Sequence, residues 1–225
     1  FCSQQNCADG DLPGGGLLPV NGTLYGAAAR AGANCPNSME CGTLFARDLN
    51  TGVETTLYSF CSQRNCADGS EPATGLIYLG GTLYGATVLG GAYHHAGTVF
   101  AFDPGSGSET VIYSFCQILK TVCKDGANPG GGMAAVNGKL YGTAGGGNAV
   151  VVCQGGCGTV FEFDPATGAE TVLYAFCSQK VCADGTLPRG LFDMNGKFYG
   201  TTSEGGHYDA HRCSFGCGTV FTLKR

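Results

Sequence analysis

Residues 97–115 read GTVFAFDPGSGSETVIYSF, and residues 158–176 read GTVFEFDPATGAETVLYAF. Each stretch holds two short runs rich in Val, Phe, Tyr and Thr, which are residue types that favour β-strands. Between the runs stands a five-residue turn that begins with Asp and closes on Gly, a residue that suits a left-handed turn position. The stretch therefore predicts a β-hairpin, and residues 42–60, GTLFARDLNTGVETTLYSF, predict another.

This hairpin is part of a unit of about 58 residues that occurs four times, and a period of this length is typical of a four-stranded propeller blade. Phe-Cys recurs at Phe1, Phe60, Phe115 and Phe176. Asp-Gly follows at Asp9, Asp68, Asp125 and Asp184. We predict one domain over residues 1–225, built from repeats at about 1–59, 60–114, 115–175 and 176–225.

Each repeat holds four predicted strands, of which the first two meet at a two-residue turn. The turn is Asn-Gly in three repeats and Gly-Gly in one, and such turns require positive φ at both positions. The fourth repeat ends after its third strand, at Lys224 and Arg225. We therefore predict an all-β, disulfide-rich, four-bladed β-propeller of four-stranded antiparallel blades, in which the last blade lacks its outer strand.

The cysteines predict an oxidising compartment. Fourteen cysteines form seven pairs that are close in sequence, and none has Cys-x-x-Cys spacing, so local disulfides are favoured over zinc ligands. Disulfides persist outside the cytosol, which predicts an extracellular or periplasmic protein, and we expect a secreted, extracellular one. All fourteen lie in the long links between strands, so we expect the bridges to gather on one face. The predicted pairs are Cys2 with Cys7, Cys35 with Cys41, Cys61 with Cys66, Cys116 with Cys123, Cys153 with Cys157, Cys177 with Cys182, and Cys213 with Cys217.

The net charge and the hydropathy of the chain limit the classes of partner that it can be expected to bind. The formal net charge is -5, and the 12 Lys and Arg residues form no basic stripe, which argues against nucleic acid. No run of 18 apolar residues exists, so no membrane span is predicted. The expected partners are an extracellular glycan or a surface protein, together with self-association through the open edge of the last blade.

The repeat pattern resembles a known family. Residues 84–115, YGATVLGGAYHHAGTVFAFDPGSGSETVIYSF, and residues 199–221, YGTTSEGGHYDAHRCSFGCGTVF, are similar to the Gloeobacter/Verrucomicrobia-type tandem repeat, also called the choice-of-anchor tandem repeat. The resemblance covers nearly the whole chain and implies a surface or secreted protein. It supplies no catalytic residues. Kelch repeats match less well, because the chain contains no Trp.

The four histidines are concentrated in two long loops. His94 and His95 stand in the second repeat, and His207 and His211 stand in the fourth, on either side of Asp209. Imidazole and carboxylate groups together are a plausible ligand set for a divalent transition metal. The alternative is that these side chains are solvated loop residues. The identity of any metal stays open, and no cofactor is predicted.

Three aromatic side chains share those loops: Tyr93, Tyr208 and Phe215. Their flat apolar faces could stack on sugar rings, or they could pack the bases of the loops. Asn21 begins an Asn-Gly-Thr sequence that could be glycosylated, although the hairpin turn explains it first. The four repeated aspartates could each cap a turn or could together ring a cation.

Three functions remain open from the sequence. The favoured hypothesis is a non-enzymatic extracellular binding module, such as a glycan-binding one, that uses the cysteine-rich loops. The first alternative is a structural or self-assembling protein of the cell surface or of a filament. The second is a secreted hydrolase or lyase, which rests on analogy with other propellers alone because no catalytic motif is present.

Overall fold

The computed structural model of the chain describes residues 1–35, 41–72, 74–118, 122–147, 156–209 and 213–224. Within these ranges, no helix is long and apolar enough to cross a membrane. The chain divides into two compact units, an N-terminal unit of Phe1–Ser114 and a C-terminal unit of Phe115–Arg225. This division coincides with the predicted boundary between the second and third repeats. The proposal of a single domain stays a prediction.

The N-terminal unit contains two four-stranded antiparallel sheets, each a meander of consecutive strands. Blade 1 consists of β1 (Asp11–Val20), β2 (Thr23–Arg30), β3 (Thr43–Asp48) and β4 (Glu54–Ser59). Blade 2 consists of β5 (Ile77–Leu79), β6 (Thr82–Thr87), β7 (Thr98–Asp103) and β8 (Ser108–Ser114). Short 3-10 helices at Gln5–Cys7 and Arg64–Cys66 precede the first strands.

The C-terminal unit contains the sheets of the third and fourth repeats. Blade 3 consists of β9 (Ala127–Pro129), β10 (Ala134–Val136), β11 (Lys139–Gly146), β12 (Thr159–Asp164) and β13 (Ala169–Ala175). Blade 4 consists of β14 (Thr186–Met194), β15 (Lys197–Glu204) and β16 (Thr219–Lys224). A 3-10 helix at Lys180–Cys182 precedes β14. The predicted all-β class with one propeller blade per repeat is confirmed, as is the missing outer strand of blade 4 within the described residues.

Blade 3 differs from the prediction because its first strand is split in two. Both β9 and β10 pair with β11, which gives five strands where four were expected. The interruption contains Gly131, and a Cβ atom there would collide with Thr143 and with the backbone of Gly190 in blade 4. The interruption therefore lies where blades 3 and 4 approach closely.

The two-residue turns have the backbone that the sequence predicts. Asn21 and Gly22 have φ angles of 47° and 82°. The turns Gly80–Gly81, Asn137–Gly138 and Asn195–Gly196 show the same pair of positive angles. These turns match the right-handed twist of the strands they join, which fixes the register of each hairpin.

A glycine opposite a phenylalanine organises the core of every blade. Gly85 of β6 lies opposite Phe100 of β7, and a Cβ on Gly85 would collide with the ring of Phe100. That ring meets Phe60 edge-on, with the two centroids 5.1 Å apart. The recurring Tyr-Gly, Gly-Thr-(Val/Leu)-Phe and Phe-Cys sequences are thus parts of one packing unit. The equivalent Gly–Phe pairs are Gly26 with Phe45, Gly142 with Phe161, and Gly200 with Phe221.

Candidate ligand-binding cleft

Disulfide-bonded loops lie side by side at one end of the sheets within each unit. In the N-terminal unit, the Gly91 amide donates a 2.9 Å hydrogen bond to the carbonyl of Cys66. In the C-terminal unit, the Gly206 amide donates an equivalent 2.9 Å bond to the carbonyl of Cys182. In both blades, the loop between the second and third strands packs on the loop that precedes the first strand. Sulfurs from neighbouring loops also come within 4.8 Å of one another, in one group of Cys35, Cys41 and Cys61 and in another of Cys157, Cys177 and Cys182. The gathering of all the bridges on one face stays a prediction.

Six of the seven predicted disulfides are present among the described residues, and Cys157 is also disulfide-bonded. Its predicted partner, Cys153, lies outside those residues. Two groups of three cysteines are close enough to share a metal ion, but all six are already in disulfides. Bridged sulfurs are not the thiolates that bind metals. The six bridges are Cys2–Cys7, Cys35–Cys41, Cys61–Cys66, Cys116–Cys123, Cys177–Cys182 and Cys213–Cys217.

Each repeated aspartate braces the cysteine loop in front of it. Oδ2 of Asp68 accepts hydrogen bonds of 2.8 Å from the Tyr58 hydroxyl and from both the amide and the hydroxyl of Ser62, and Oδ1 accepts one of 3.2 Å from the Gln63 amide. Asp184 repeats the arrangement. Since these carboxylates serve their own loops, the capping alternative is confirmed. Asp9 and Asp125 also accept from loop amides.

At Asp9 and Asp184 these hydrogen bonds lower the pKa and so favour the ionised carboxylate. Burial by itself would raise the pKa of Asp9, but the Ser3 hydroxyl and the amides of Ser3 and Gln4 outweigh it and lower the pKa to about 2. The same balance lowers the pKa of Asp184. The loops held by Asp9 and Asp184 therefore keep these hydrogen bonds at neutral and mildly acidic pH.

A cleft of about 640 Å³ opens among the loops of the C-terminal unit. Three exposed apolar side chains line it, namely Val181 at 80% exposure, Tyr208 at 62% and Phe215 at 75%. Val181 belongs to the 3-10 helix before β14, whereas Tyr208 and Phe215 belong to the link between β15 and β16. Two of the three aromatic residues predicted to contact a ligand thus line one cleft.

Polar groups complete the lining of this cleft. Thr186, at the start of β14, and Ser214 contribute hydroxyl groups, and Glu204, at the end of β15, contributes a half-buried carboxylate. Among the described residues that line the cleft, Glu204 is the single carboxylate. An apolar wall with a few polar groups is a common composition for a small-molecule site.

Backbone hydrogen bonds and a disulfide hold the aromatic loop in place. The Gly205 amide donates to the Phe215 carbonyl at 2.9 Å, and the Cys217 amide donates to the His207 carbonyl at 2.8 Å. Cys213 and Cys217 are bridged within the same loop. Because the backbone around Tyr208 and Phe215 is tied at several points, less conformational entropy is lost when a ligand orders these side chains.

Val181 occupies a backbone position that its residue type disfavours. Its φ angle is 54°, in the left-handed region, where β-branched side chains are strained. In the N-terminal unit, the same position of the loop holds Asn6 and Asn65, with φ angles of 56° and 58°. Asn tolerates this conformation far better. Val181 was not identified from the sequence, although its replacement of Asn in otherwise matching Cys-Ser-Gln loops is a signal that could have found it.

The predicted histidine loop of the fourth repeat is only partly described. His207 is exposed and lies beside Tyr208, and the carbonyl of Asp209 accepts a 2.8 Å hydrogen bond from the Cys213 amide. His211 lies outside the described residues. The metal site proposed for these side chains stays a prediction.

The other predicted site residues belong to the N-terminal unit. Tyr93 is 43% exposed, and His94 and His95 beside it are exposed, both with φ angles of 52°. Asn21 is exposed in its hairpin turn. Their roles in binding and glycosylation stay predictions.

Comparison with solved structures supports the fold. The chain is 14% identical to an auxiliary nutrient binding protein from Bacteroides thetaiotaomicron, with a TM-score of 0.54 over 94% of this chain and 42% of that one. A chain of a nidogen/laminin complex gives 15% identity and a TM-score of 0.53 over 91% and 57%. A europium-containing methanol dehydrogenase gives 17% and 0.52 over 97% and 41%. The chain thus spans less than two thirds of each of these proteins, and the likeness concerns the fold alone.

Comparison of the sequences gives a family. No curated protein matches the chain. The profile of the Gloeobacter/Verrucomicrobia repeat, by contrast, matches residues 1–221, which confirms the resemblance seen in the sequence. The matched range includes residues from all four repeats, and it contains both segments, 84–115 and 199–221, on which the resemblance was based. The chain therefore belongs to the Gloeobacter/Verrucomicrobia repeat family.

Proposed function

We propose that this protein is an extracellular, non-enzymatic binding module that holds a carbohydrate in the cleft of its C-terminal unit. The observation that carries the proposal is the exposed apolar wall of Val181, Tyr208 and Phe215 around a cleft of about 640 Å³. Apolar side chains that are exposed together in one patch often mark a binding site, whereas single exposed ones are common. The flat faces of Tyr and Phe fit the apolar faces of sugar rings.

Strain at Val181 supports a role in binding. A left-handed backbone costs about 1–3 kcal/mol for a residue that does not favour it. The sister loops avoid this cost with Asn6 and Asn65. An apolar side chain kept at an exposed and strained position fits a contact with a ligand better than a contribution to stability.

The composition of the cleft favours binding over hydrolysis. Glycoside hydrolases generally place two carboxyl groups on either side of the scissile bond. Glu204 is the only carboxylate among the described residues of the cleft, so the pair is not found there. Thr186, Ser214 and Glu204 can instead serve as hydrogen-bonding partners for sugar hydroxyl groups.

An extracellular location fits the chemistry of the loops. The disulfide-bonded loops that build the cleft need an oxidising compartment to form and persist. The name of the Bacteroides thetaiotaomicron neighbour describes nutrient binding by that protein, and a binding role is consistent with that example of the fold.

The test is a glycan array followed by calorimetry on the 225-residue chain. Tyr208→Ala and Phe215→Ala should each weaken binding of a positive glycan about tenfold, which corresponds to the loss of ~1.4 kcal/mol. Phe192→Ala is the matched control, because Phe192 is 65% exposed in the same unit but does not line the cleft. Tyr93→Ala reports whether the N-terminal loop takes part.

Two results would contradict the proposal. One is an array on which no glycan binds above background. The other is a loss of affinity in Phe192→Ala as large as the loss in Tyr208→Ala and Phe215→Ala, because the effect would then be unspecific.

A further inference from the structure

Two disulfides of the N-terminal unit lie beside each other. The bridge Cys35–Cys41 belongs to the loop between β2 and β3, and the bridge Cys61–Cys66 belongs to the loop that enters blade 2. The sulfurs of Cys35, Cys41 and Cys61 all lie within 4.8 Å of one another. Cys61 therefore stands close to a second bridge as well as to its own partner, whereas Cys66 is not a member of this group.

Hydrogen bonds hold the two loops together next to these bridges. The Phe60 amide donates a 3.0 Å hydrogen bond to the Gly42 carbonyl, and the Phe60 carbonyl accepts one of 3.3 Å from the side-chain amide of Asn34. The Glu71 amide donates a 2.7 Å bond to the carbonyl of Cys41. The fold itself thus keeps the sulfurs of the two loops close together.

The two bridges differ in their access to solvent. Cys35 and Cys41 are buried, at 9% and 2% exposure, whereas Cys61 and Cys66 are half-buried. Reactive cysteines are generally those that solvent can reach. A thiol in solution therefore reaches the Cys61–Cys66 bridge more easily than the Cys35–Cys41 bridge.

The C-terminal unit contains a similar group, but its sulfurs are more deeply buried. Cys157, Cys177 and Cys182 have sulfurs within 4.8 Å of one another, and the three residues are 0%, 9% and 7% exposed. The close approach of bridges thus occurs both between the first and second repeats and between the third and fourth. Of the two groups, the N-terminal one is accessible to a reagent in solution.

We propose that Cys66 is a site of S-thiolation by a low-molecular-weight thiol, and that the Cys61 thiolate released there is captured by the bridge Cys35–Cys41. The thiol attacks Sγ of Cys66 as its thiolate, the Cys61–Cys66 bond breaks, and Cys61 leaves with the electron pair. The Cys61 thiolate then attacks one sulfur of Cys35–Cys41. A new S–S bond forms, and the other sulfur leaves as a thiolate and takes up the proton that the external thiol lost.

This exchange needs no oxidant or reductant other than the thiol. Two S–S bonds are present at these positions before and after it, and one thiol is consumed while another is released. Because the second step occurs within one folded chain, it is favoured over attack by another thiol from solution. The product covalently joins the loop of blade 1 to the loop that enters blade 2. This site lies in the N-terminal unit and does not depend on the carbohydrate cleft of the proposed function.

The first experiment uses Cys66→Ser in the 225-residue chain. This change leaves the Cys61 thiol beside the neighbouring bridge and removes Cys66 as a competing partner. Exchange is stopped with acid, free thiols are alkylated, and the disulfides are mapped by mass spectrometry. We expect loss of the Cys35–Cys41 bridge from most chains, with Cys61 bonded to one of its sulfurs and the other sulfur alkylated.

Cys7→Ser is the matched control. Residues 1–10 and 60–69 differ at one position only, so this change releases Cys2 at the loop position that corresponds to Cys61. Within the described part of the chain, no third sulfur forms a close group with Cys2 and Cys7. Cys2 should therefore be recovered as an alkylated thiol, with the other bridges intact. Cooperative melting of both variants will show that they are folded.

The second experiment treats the unmutated chain with glutathione. We expect one glutathione on Cys66 in chains whose Cys61 is bonded to Cys35 or Cys41. Cys177 and Cys182 serve as the internal control, and they should be modified at least about tenfold more slowly because they are buried.

Several results would overturn the proposal. One is that Cys66→Ser retains the Cys35–Cys41 bridge and has Cys61 as a free thiol, as Cys7→Ser has Cys2. Another is a disulfide-linked dimer through Cys61, because its sulfur would then react with a second chain in preference to the neighbouring bridge. The last is that glutathione leaves Cys66 unmodified, or modifies it while Cys61 remains a free thiol.

Discussion

The hydroxyl group of Tyr58 donates a 2.8 Å hydrogen bond to Oδ2 of Asp68 and thereby ties the last strand of blade 1 to the loop that enters blade 2. The same bond, also 2.8 Å, joins Tyr174 to Asp184 between blades 3 and 4. The aspartate, buried at Asp68 and half-buried at Asp184, holds the cysteine loop, and the tyrosine attaches that loop to the preceding sheet. The pair therefore connects consecutive repeats inside each unit.

We expect Tyr174→Phe to lower the free energy of unfolding by about 1–2 kcal/mol, because a hydrogen bond to a charged acceptor is lost. Tyr78→Phe is the control, since Tyr78 is 40% exposed on the short strand β5, and it should change stability by less than about 0.5 kcal/mol. Urea unfolding monitored by circular dichroism measures both. Equal stability of the two variants would show that the Tyr174–Asp184 bond adds nothing.

A second relationship in this region concerns Glu109 of β8. Both of its carboxylate oxygens are shielded from solvent. This burial raises the pKa of Glu109 to about 7, the charge of Asp68 adds to the effect, and the Tyr58 hydroxyl opposes it. The native state consequently binds a proton that the unfolded chain releases near pH 4.5.

This carboxyl group should make stability fall as pH rises. Its contribution is fully present below pH 4.5 and is lost as pH passes through about 7. Glu109→Gln should flatten that part of the profile and should raise the free energy of unfolding at pH 8 by on the order of 1–2 kcal/mol. At pH 4.5 the variant and the parent should be equally stable. Urea unfolding at half-unit pH steps provides the test, and an unchanged slope in the variant would disprove the assignment.

Gly158 fixes the distance between blades 3 and 4. It has a φ of 96°, and a Cβ atom there would collide with the ring of Pro188. Gly158→Ala should cost more than about 2 kcal/mol, from backbone strain and the clash together. Gly168→Ala isolates the strain, because Gly168 has a φ of 72° and open space around it. If the two variants have the same melting temperature, contact with Pro188 is not the reason that position 158 requires glycine.

The bridge between Cys213 and Cys217 should matter for binding as well as for stability. Replacing both residues by Ser should cost about 2 kcal/mol and should also weaken binding of the glycan, because the loop of Tyr208 and Phe215 loses a constraint. The double replacement of Cys61 and Cys66 by Ser should cost a similar amount and should leave glycan binding unchanged. Calorimetry on both variants, below their melting temperatures, compares the two effects.

Much of the fold was predictable because its determinants are local. The turn at Asn21–Gly22 requires positive φ, the Gly85–Phe100 pair requires a glycine, and both recur with the repeat. Cysteines that are five residues apart, such as Cys61 and Cys66, close a short local loop. By contrast, the contact between Gly131 and Gly190 of the next blade, beside the split first strand of blade 3, joins two repeats, and the sequence of one repeat does not reveal such contacts.

The cleft was only half predictable for a related reason. Tyr208 and Phe215 stood out as aromatic residues in a long loop. Glu204 and Leu187, which also lines the cleft, look like ordinary strand residues. They belong to the cleft only because the link after β15 folds onto the loop before β14. The burial of Glu109 likewise depends on packing between two blades, so nothing in its own strand indicated a raised pKa.

Val181 offers the sharpest test of the cleft because stability and binding should move in opposite directions. Val181→Asn restores the residue that the sister loops have at this left-handed position. We expect it to raise the free energy of unfolding by about 0.5–1 kcal/mol, because Asn relieves the strain. The same change removes an apolar wall of the cleft, so it should weaken glycan binding several-fold.

The reciprocal change, Asn65→Val, provides the control. It places the strained residue in the N-terminal unit, where it should lower stability by a similar amount and leave glycan binding unchanged. If Val181→Asn were to stabilise the protein and bind the glycan as tightly as before, the strain at Val181 would have no role in the cleft. A loss of binding without any gain in stability would show that the loop already accommodates valine, and the argument from strain would fail.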